Sequence, residues 1–177
     1  KDVEPKQLDL TIEASGEIEA IYSVEIKSKA SGEILDLPAE VGDFVKKGTI
    51  LARIDQRTPK NVLDQAEADL KLAEVRLENA EAQLVRGQAL HAEGSIADKN
   101  FEEIQEGFAS AKSQHVRSIV NVENAKIALD DTLVKSPLGA TIISRPVEVG
   151  QVISSPTSAV GGGTILMRMA DLSKVRI

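Results

Sequence analysis

The sequence contains no cysteine. Disulfides, thiolate zinc sites and a cysteine nucleophile are therefore excluded, while either redox compartment remains compatible. Tryptophan is absent too, and the aromatic rings are Tyr22, Phe44, Phe101 and Phe108, 2% of the chain. Large rings bury the most area per residue, so the cores are expected to be thin and built from Val, Ile, Leu and Ala. Positive charge is scattered: the net charge is −7, and no Lys/Arg cluster is longer than Lys46-Lys47. A nucleic-acid surface needs concentrated positive charge or stacking rings, so no nucleic-acid partner is expected. No apolar run approaches the ~20 residues that cross a bilayer, and no secretory signal stands at Lys1. The chain starts and stops abruptly, with "DLSKVRI" reading as the start of a strand. It is expected to be a piece of a longer protein.

What is present is said twice. Pro38-Ala39-Glu40-Val41-Gly42 is followed by Gly48-Thr49-Ile50-Leu51 and Arg53. Pro146-Val147-Glu148-Val149-Gly150 is followed, after an insertion from Ser154 to Gly162, by Gly163-Thr164-Ile165-Leu166 and Arg168. Upstream, Gly32 aligns with Gly139, which puts one extra residue in the second copy. Val24–Lys27, Gly32–Leu35, Thr141–Ser144 and Thr164–Met167 alternate apolar and polar, the mark of half-buried strands. Gly42 and Gly48 punctuate tight turns. Two such halves, each too small to bury its own apolar face, are expected to pack as a small two-sheet sandwich.

Between the halves the pattern changes. Leu63, Leu70, Leu77 and Leu84 fall seven apart, with Ala66, Ala73, Ala80 and Gly87 three places after each. That is a coiled-coil seam with one large and one small residue per repeat. Pro59 suits the first turn of the helix. Gly94 is the natural residue to end it, and Asp98 is placed to cap the next. Phe101, Ile104, Phe108, Ala111, His115, Ser118, Val122, Ala125 and Leu129 then recur at threes and fours. Two helices of matching length joined by a short turn predict an antiparallel hairpin. Charges lie off the seam, and pairs such as Glu67 with Lys71 support the helix locally.

Nothing here spells catalysis. His91 and His115 sit on different helices, with His115 on the seam. Asp130 and Asp131 are adjacent on a helix end and so point apart, and Gly161-Gly162-Gly163 precedes a strand rather than a helix. Neither a phosphate loop nor a nucleophile elbow is present. No catalytic residue, cofactor or metal is expected.

A duplicated strand unit split by a long helical hairpin resembles the periplasmic adaptor, or membrane fusion, proteins of the HlyD-like type. "SGEILDLPAEVGDFVKKGTILARID", "KSPLGATIISRPVEVGQVI" and "GGGTILMRMADLSKVRI" carry the likeness. It implies an α+β chain: a split lipoyl-like (barrel-sandwich hybrid) domain interrupted by a coiled-coil α-hairpin, with stubs of an adjacent β-barrel domain. The implied boundaries are 1–22 for a barrel stub, 23–56 for the first lipoyl-like half, 57–132 for the hairpin, 133–171 for the second half and 172–177 for the return to the barrel. Gln7–Ser15 would be an orphaned barrel strand. The family implies a non-catalytic adaptor in the periplasm, tethered to the inner membrane. Its homo-oligomeric ring, hexameric or otherwise, would link an inner-membrane transporter (ABC or RND) to an outer-membrane channel. Residues 149–177 read as slightly closer to ATP-linked adaptors.

In pump adaptors of this family the tip carries an Arg, a Leu four places on, and a Ser or Thr seven after that. Arg86 and Leu90 match the first two; Ala97 departs at the third, leaving Ser95 as the nearest hydroxyl. The implied partner-binding tip is Arg86, Leu90, Gly94, Ser95, Ile96 and Ala97. Two rivals differ in class. A lipoyl- or biotinyl-type carrier would need a modified Lys at the hairpin position that the helices now occupy, and neither Met-Lys-Met nor Asp-Lys-Ala occurs. A cytosolic or periplasmic coiled-coil scaffold would explain the helices but not the duplicated strands.

Overall fold

The repeat does not build one sheet per copy; each sheet draws two strands from either half. The computed structural model describes residues 19–156 and 162–176, so the strand expected at Gln7–Ser15 lies outside the described residues. In chain order the elements are β1 (Glu19–Lys27), β2 (Gly32–Asp36), β3 (Phe44–Val45), β4 (Ile50–Ile54), α1 (Arg57–Ala92), α2 (Asp98–Asp130), β5 (Leu133–Lys135), β6 (Ala140–Ser144), β7 (Val152–Ile153) and β8 (Ile165–Arg176). One sheet has the order β1-β8-β6-β3 and the other β5-β4-β2-β7, with antiparallel pairing throughout.

The duplication is written into the hydrogen bonds. Gly42 N–H donates to the Ile142 carbonyl at 2.8 Å, and Ile142 N–H to that of Asp43 at 3.0 Å. In the other copy Gly150 N–H donates to Ile34 at 2.8 Å, and Ile34 N–H to Gln151 at 2.9 Å. Ser28 Oγ donates to the Ala30 carbonyl at 2.7 Å, and Ser136 Oγ to that of Leu138 at 2.6 Å. These equivalences run at constant spacing from Ser28/Ser136 to Gly42/Gly150. The extra residue expected in the second copy is therefore not there: Gly139 answers Ser31, and Ala140 answers Gly32. Of the pair Gly32 and Ala140, it is Gly32 where a Cβ would crowd a neighbour, standing 2.9 Å from Ile54 Cγ2.

The core is aliphatic, with two sulfurs. Ile34, Leu51, Ile54, Ile142, Ile153, Leu166, Met167 and Met169 are fully buried. Leu51-Ala52 and Leu166-Met167 are each buried as consecutive pairs, which strict alternation forbids. The ladder shifts between Ile50 and Ala52 against β5, and between Ile165 and Met167 against β1. An irregularity at the same Leu of each copy breaks the two-residue period and lets both neighbours turn inward.

The hairpin follows its expected seam. Leu63, Leu70, Leu77 and Leu84 are half-buried, as are Phe101, Ile104, Phe108, Ala111, His115 and Leu129; Ala73, Gly87, Ser118, Val122 and Ala125 are buried. Lys71 turns forward to Glu74 at 3.2 Å rather than back to Glu67. Gly107 is exposed in mid-helix, and a Cβ added there would meet nothing within 4 Å. Gly107→Ala is therefore expected to stabilise the chain by about 0.5–1 kcal/mol, raising Tm by about 1–4 °C in a thermal melt.

The hairpin is tied to the sandwich at its root. Gln56, the residue capping α1, makes no side-chain cap bond; its Nε2 donates instead to Thr132 Oγ1 at 2.7 Å. The Thr132 hydroxyl, fully buried just beyond α2, donates to the Leu129 carbonyl at 2.6 Å. Ile54 N–H donates to the Thr132 carbonyl at 2.9 Å. Beside this knot, Arg57 Nη2 meets Asp55 Oδ2 at 2.6 Å and Arg57 Nε lies 3.0 Å from both carboxylate oxygens. These bonds hold the Asp55 carboxyl down to about 2. Thr132→Val keeps the shape but removes both hydroxyl bonds, and should cost about 1–2 kcal/mol in chemical denaturation.

Candidate functional site at the hairpin tip

At ~1.5 Å per residue, the 36 residues of α1 carry the chain about 54 Å from the sandwich before it turns. The turn is a tight, backbone-bonded cap. Glu93 N–H donates to Ala89 at 3.1 Å, Gly94 N–H to His91 at 3.0 Å and Ser95 N–H to Leu90 at 2.8 Å. Gly94 sits at φ +73, the left-handed conformation that ends helices and that glycine adopts without strain. On the far side Asn100 and Phe101 N–H donate to the Ala97 carbonyl at 3.0 and 3.2 Å.

Ala97, not Asp98, is the capping residue of α2; it is extended and offers no side-chain bond. Asp98 is the first helical residue, and its carboxylate crosses the turn to His91 Nε2 at 2.9 Å. A local preference for Asp at the cap lost to a partner on the other helix. The carboxylate still sits at the positive end of the α2 dipole, where negative charge is favourable. The His91 ring also stacks on Phe101, with centroids 4.6 Å apart and planes 17° apart.

The six residues singled out from the sequence divide. Arg86, Leu90, Gly94, Ser95 and Ala97 are exposed, while Ile96 is half-buried. Leu90 is 44% exposed; it lies off the seam, which runs through Leu84, Gly87 and His91. Arg86 and Leu90 are one turn apart on one outer face of α1. Arg86 makes no ion pair among the described residues. Behind them Gly87 is buried, and a Cβ there would come within 2.9 Å of Ile104 Cδ1. That glycine lets the helices close up directly under the tip. The residue missed was His91. It continues the row Leu63, Leu70, Leu77, Leu84, and that seven-residue spacing was the available signal.

Among the described residues no three His, Asp or Glu side chains gather as a metal site. No helix of the described residues is long and apolar enough to cross a membrane. The helices end in a backbone-bonded cap, with Arg86 and Leu90 exposed on the outer face just before it.

A family model described as "RND MFP, barrel-sandwich hybrid domain" matches residues 22–161. The chain belongs to this family of membrane fusion proteins. "Multidrug resistance protein MdtA" of Xenorhabdus bovienii is 25% identical over 166 residues, covering 92% of this chain and 38% of the relative. The MacA crystal structure from Actinobacillus actinomycetemcomitans superposes with TM-score 0.63 at 26% identity, covering 89% of this chain and 52% of that one. A MacA-MexA chimera containing the Pseudomonas aeruginosa MexA α-hairpin gives TM-score 0.58 at 32% identity, covering 89% and 49%. The chain thus spans well under half the length of the curated relative. The membrane fusion proteins are adaptors of efflux pumps rather than a family of enzymes, and the split sandwich with its inserted hairpin is their fold.

Proposed function

We infer that this membrane fusion protein works as the periplasmic adaptor of a tripartite efflux system, without catalysis of its own. It would be tethered to the inner membrane and closed into a homo-oligomeric ring, with a hexamer as the first expectation. The sandwich would face the inner-membrane transporter, and the tip residues Arg86, Leu90, Gly94, Ser95, Ile96 and Ala97 would meet the outer-membrane channel. The observation that carries this reading is the outward face of the tip: Arg86 and Leu90 are exposed although Gly87, beside them, is buried. The RND designation of the matching family favours an RND transporter over the ATP-linked class towards which residues 149–177 leaned. The boundaries proposed for the lipoyl-like halves are 23–56 and 133–171. The long β1–β8 ladder, paired from Ile26↔Met167 out to Glu19↔Arg176, supports a continuation towards a neighbouring barrel.

The natural lack of cysteine supplies the test. Ser95→Cys is exposed and avoids the left-handed backbone of Gly94. In the full-length protein, thiol crosslinking in intact cells should give an adduct with an outer-membrane channel. Adducts only between copies of the adaptor, from a folded protein at normal abundance, would overturn channel docking and favour a scaffold role.

A further inference from the structure

The tip contains a contact that the docking reading does not use. His91, in the last turn of α1, bonds through Nε2 to Asp98 Oδ1 at 2.9 Å in the first turn of α2, and its ring lies on Phe101. The pair closes the five-residue connection between the helices from both ends. Its electrostatic setting is consistent: the negative end of the α1 dipole favours a protonated imidazole, and the positive end of the α2 dipole favours a carboxylate. Histidine is the side chain whose charge ordinarily changes near neutral pH. With a neutral ring the contact is an ordinary hydrogen bond; with a protonated ring it is a charge-assisted one, shorter and stronger. The remaining charged groups of these turns are Arg86 on α1, Glu93 in the connection, and Lys99 and Glu102 on α2. All four are exposed, and Asp98 is the ion-pair partner of His91 among the described residues.

We propose that His91, Asp98 and Phe101 form a protonation-responsive clasp: mild acid tightens the tip into its docking shape and a rise in pH loosens it. The regulatory part rests on the docking reading above; the clasp itself does not. The sign follows from which state is charged. The contact is strongest when the imidazole carries its second proton and the carboxylate carries none, and the extra attraction is lost when the ring gives that proton up. The amides of Gly94 and Ser95 report the clasp, because they bond to the His91 and Leu90 carbonyls within the same turn. A preordered tip binds with less ordering cost, so acid should favour docking.

The experiment has two arms. In the 177-residue chain, hydrogen exchange at Gly94 and Ser95, corrected for intrinsic rate, should be about two- to fivefold slower at pH 5.5 than at pH 8. His91→Gln and Asp98→Asn should each erase that difference while seam amides near Val122 keep theirs. In cells, a photocrosslinker attached to Ser95→Cys of the full-length protein should give about two- to fivefold more channel adduct at pH 5.5, and His91→Gln should level the yields. Equal protection at both pH values, or a response that survives in both variants, overturns the clasp. A clasp response with adduct yields that ignore pH overturns the regulation. A clasp response with no channel adduct at any pH upholds the clasp and removes the docking reading instead.

Discussion

Gly163→Ala is expected to destabilise the chain by about 3–4 kcal/mol, whereas Gly48→Ala, at the matching place in the repeat, should cost about 1 kcal/mol. Both glycines hold positive φ, +85 at Gly48 and +79 at Gly163, so alanine meets the same left-handed penalty at either. Their surroundings differ. A Cβ at Gly48 meets nothing within 4 Å, while one at Gly163 falls 2.7 Å from the Pro156 backbone nitrogen and 2.8 Å from its ring carbons. In the first copy Thr49 N–H closes a tight turn on the Lys46 carbonyl at 3.1 Å. In the second, Thr164 N–H reaches the Ser154 carbonyl at 3.0 Å, and Ser154 N–H reaches Thr164 Oγ1 at 3.3 Å. Pro156 thus lies directly over the glycine and leaves no room for a methyl group. A backbone atom and a proline ring cannot step aside as a flexible side chain could. Urea unfolding of the two variants would decide it: equal midpoints would mean that the loop yields freely and that the copies are energetically alike.

Those two glycines mark the limit of what could be read from the letters. G-T-I-L announced the duplication, because identical strings in identical order need no structure to be seen. The close approach of Pro156 is a contact across the insertion, and nothing local encodes it. The hairpin seam was legible through most of its length, since a helix converts sequence spacing directly into a face. His91 escaped because the leucine row was followed only as far as Leu84, and a histidine does not mark a seam by its chemistry. The inward pairs Leu51-Ala52 and Leu166-Met167 were hidden for another reason. A bulge is a property of two paired strands, whereas alternation describes one. Asp98 as a cap was a sound local expectation, displaced by a partner seven positions away in sequence. Arg86 and Leu90 were picked out by resemblance alone; their outward placement follows from the seam passing through Gly87.

That placement leads to the largest functional effect. Arg86→Glu combined with Leu90→Asp should reduce transport by a pump built with the full-length adaptor to the level of a strain lacking it, with Tm unchanged within about 4 °C. Both side chains are exposed. Surface changes away from caps and cores usually move stability by no more than about 0.5 kcal/mol each. Arginine is enriched among the interface residues whose truncation costs ~2 kcal/mol or more. A loss of ~2 kcal/mol at Arg86 alone is about thirtyfold in affinity; reversing its charge adds repulsion, and Leu90→Asp puts a second negative charge on the same face. The measurement pairs efflux of a reporter substrate with melting of the purified chain. Transport that survives in a strain producing the double variant would remove the tip from the docking surface. A Tm that falls by about 5 °C or more would mean instead that Leu90 holds the α1 end together. The Ser95 amide anchors to the Leu90 carbonyl, but that bond is made by backbone and persists in Leu90→Asp. A stable fold with lost transport therefore separates the outer face of the tip from the cap on which it is built.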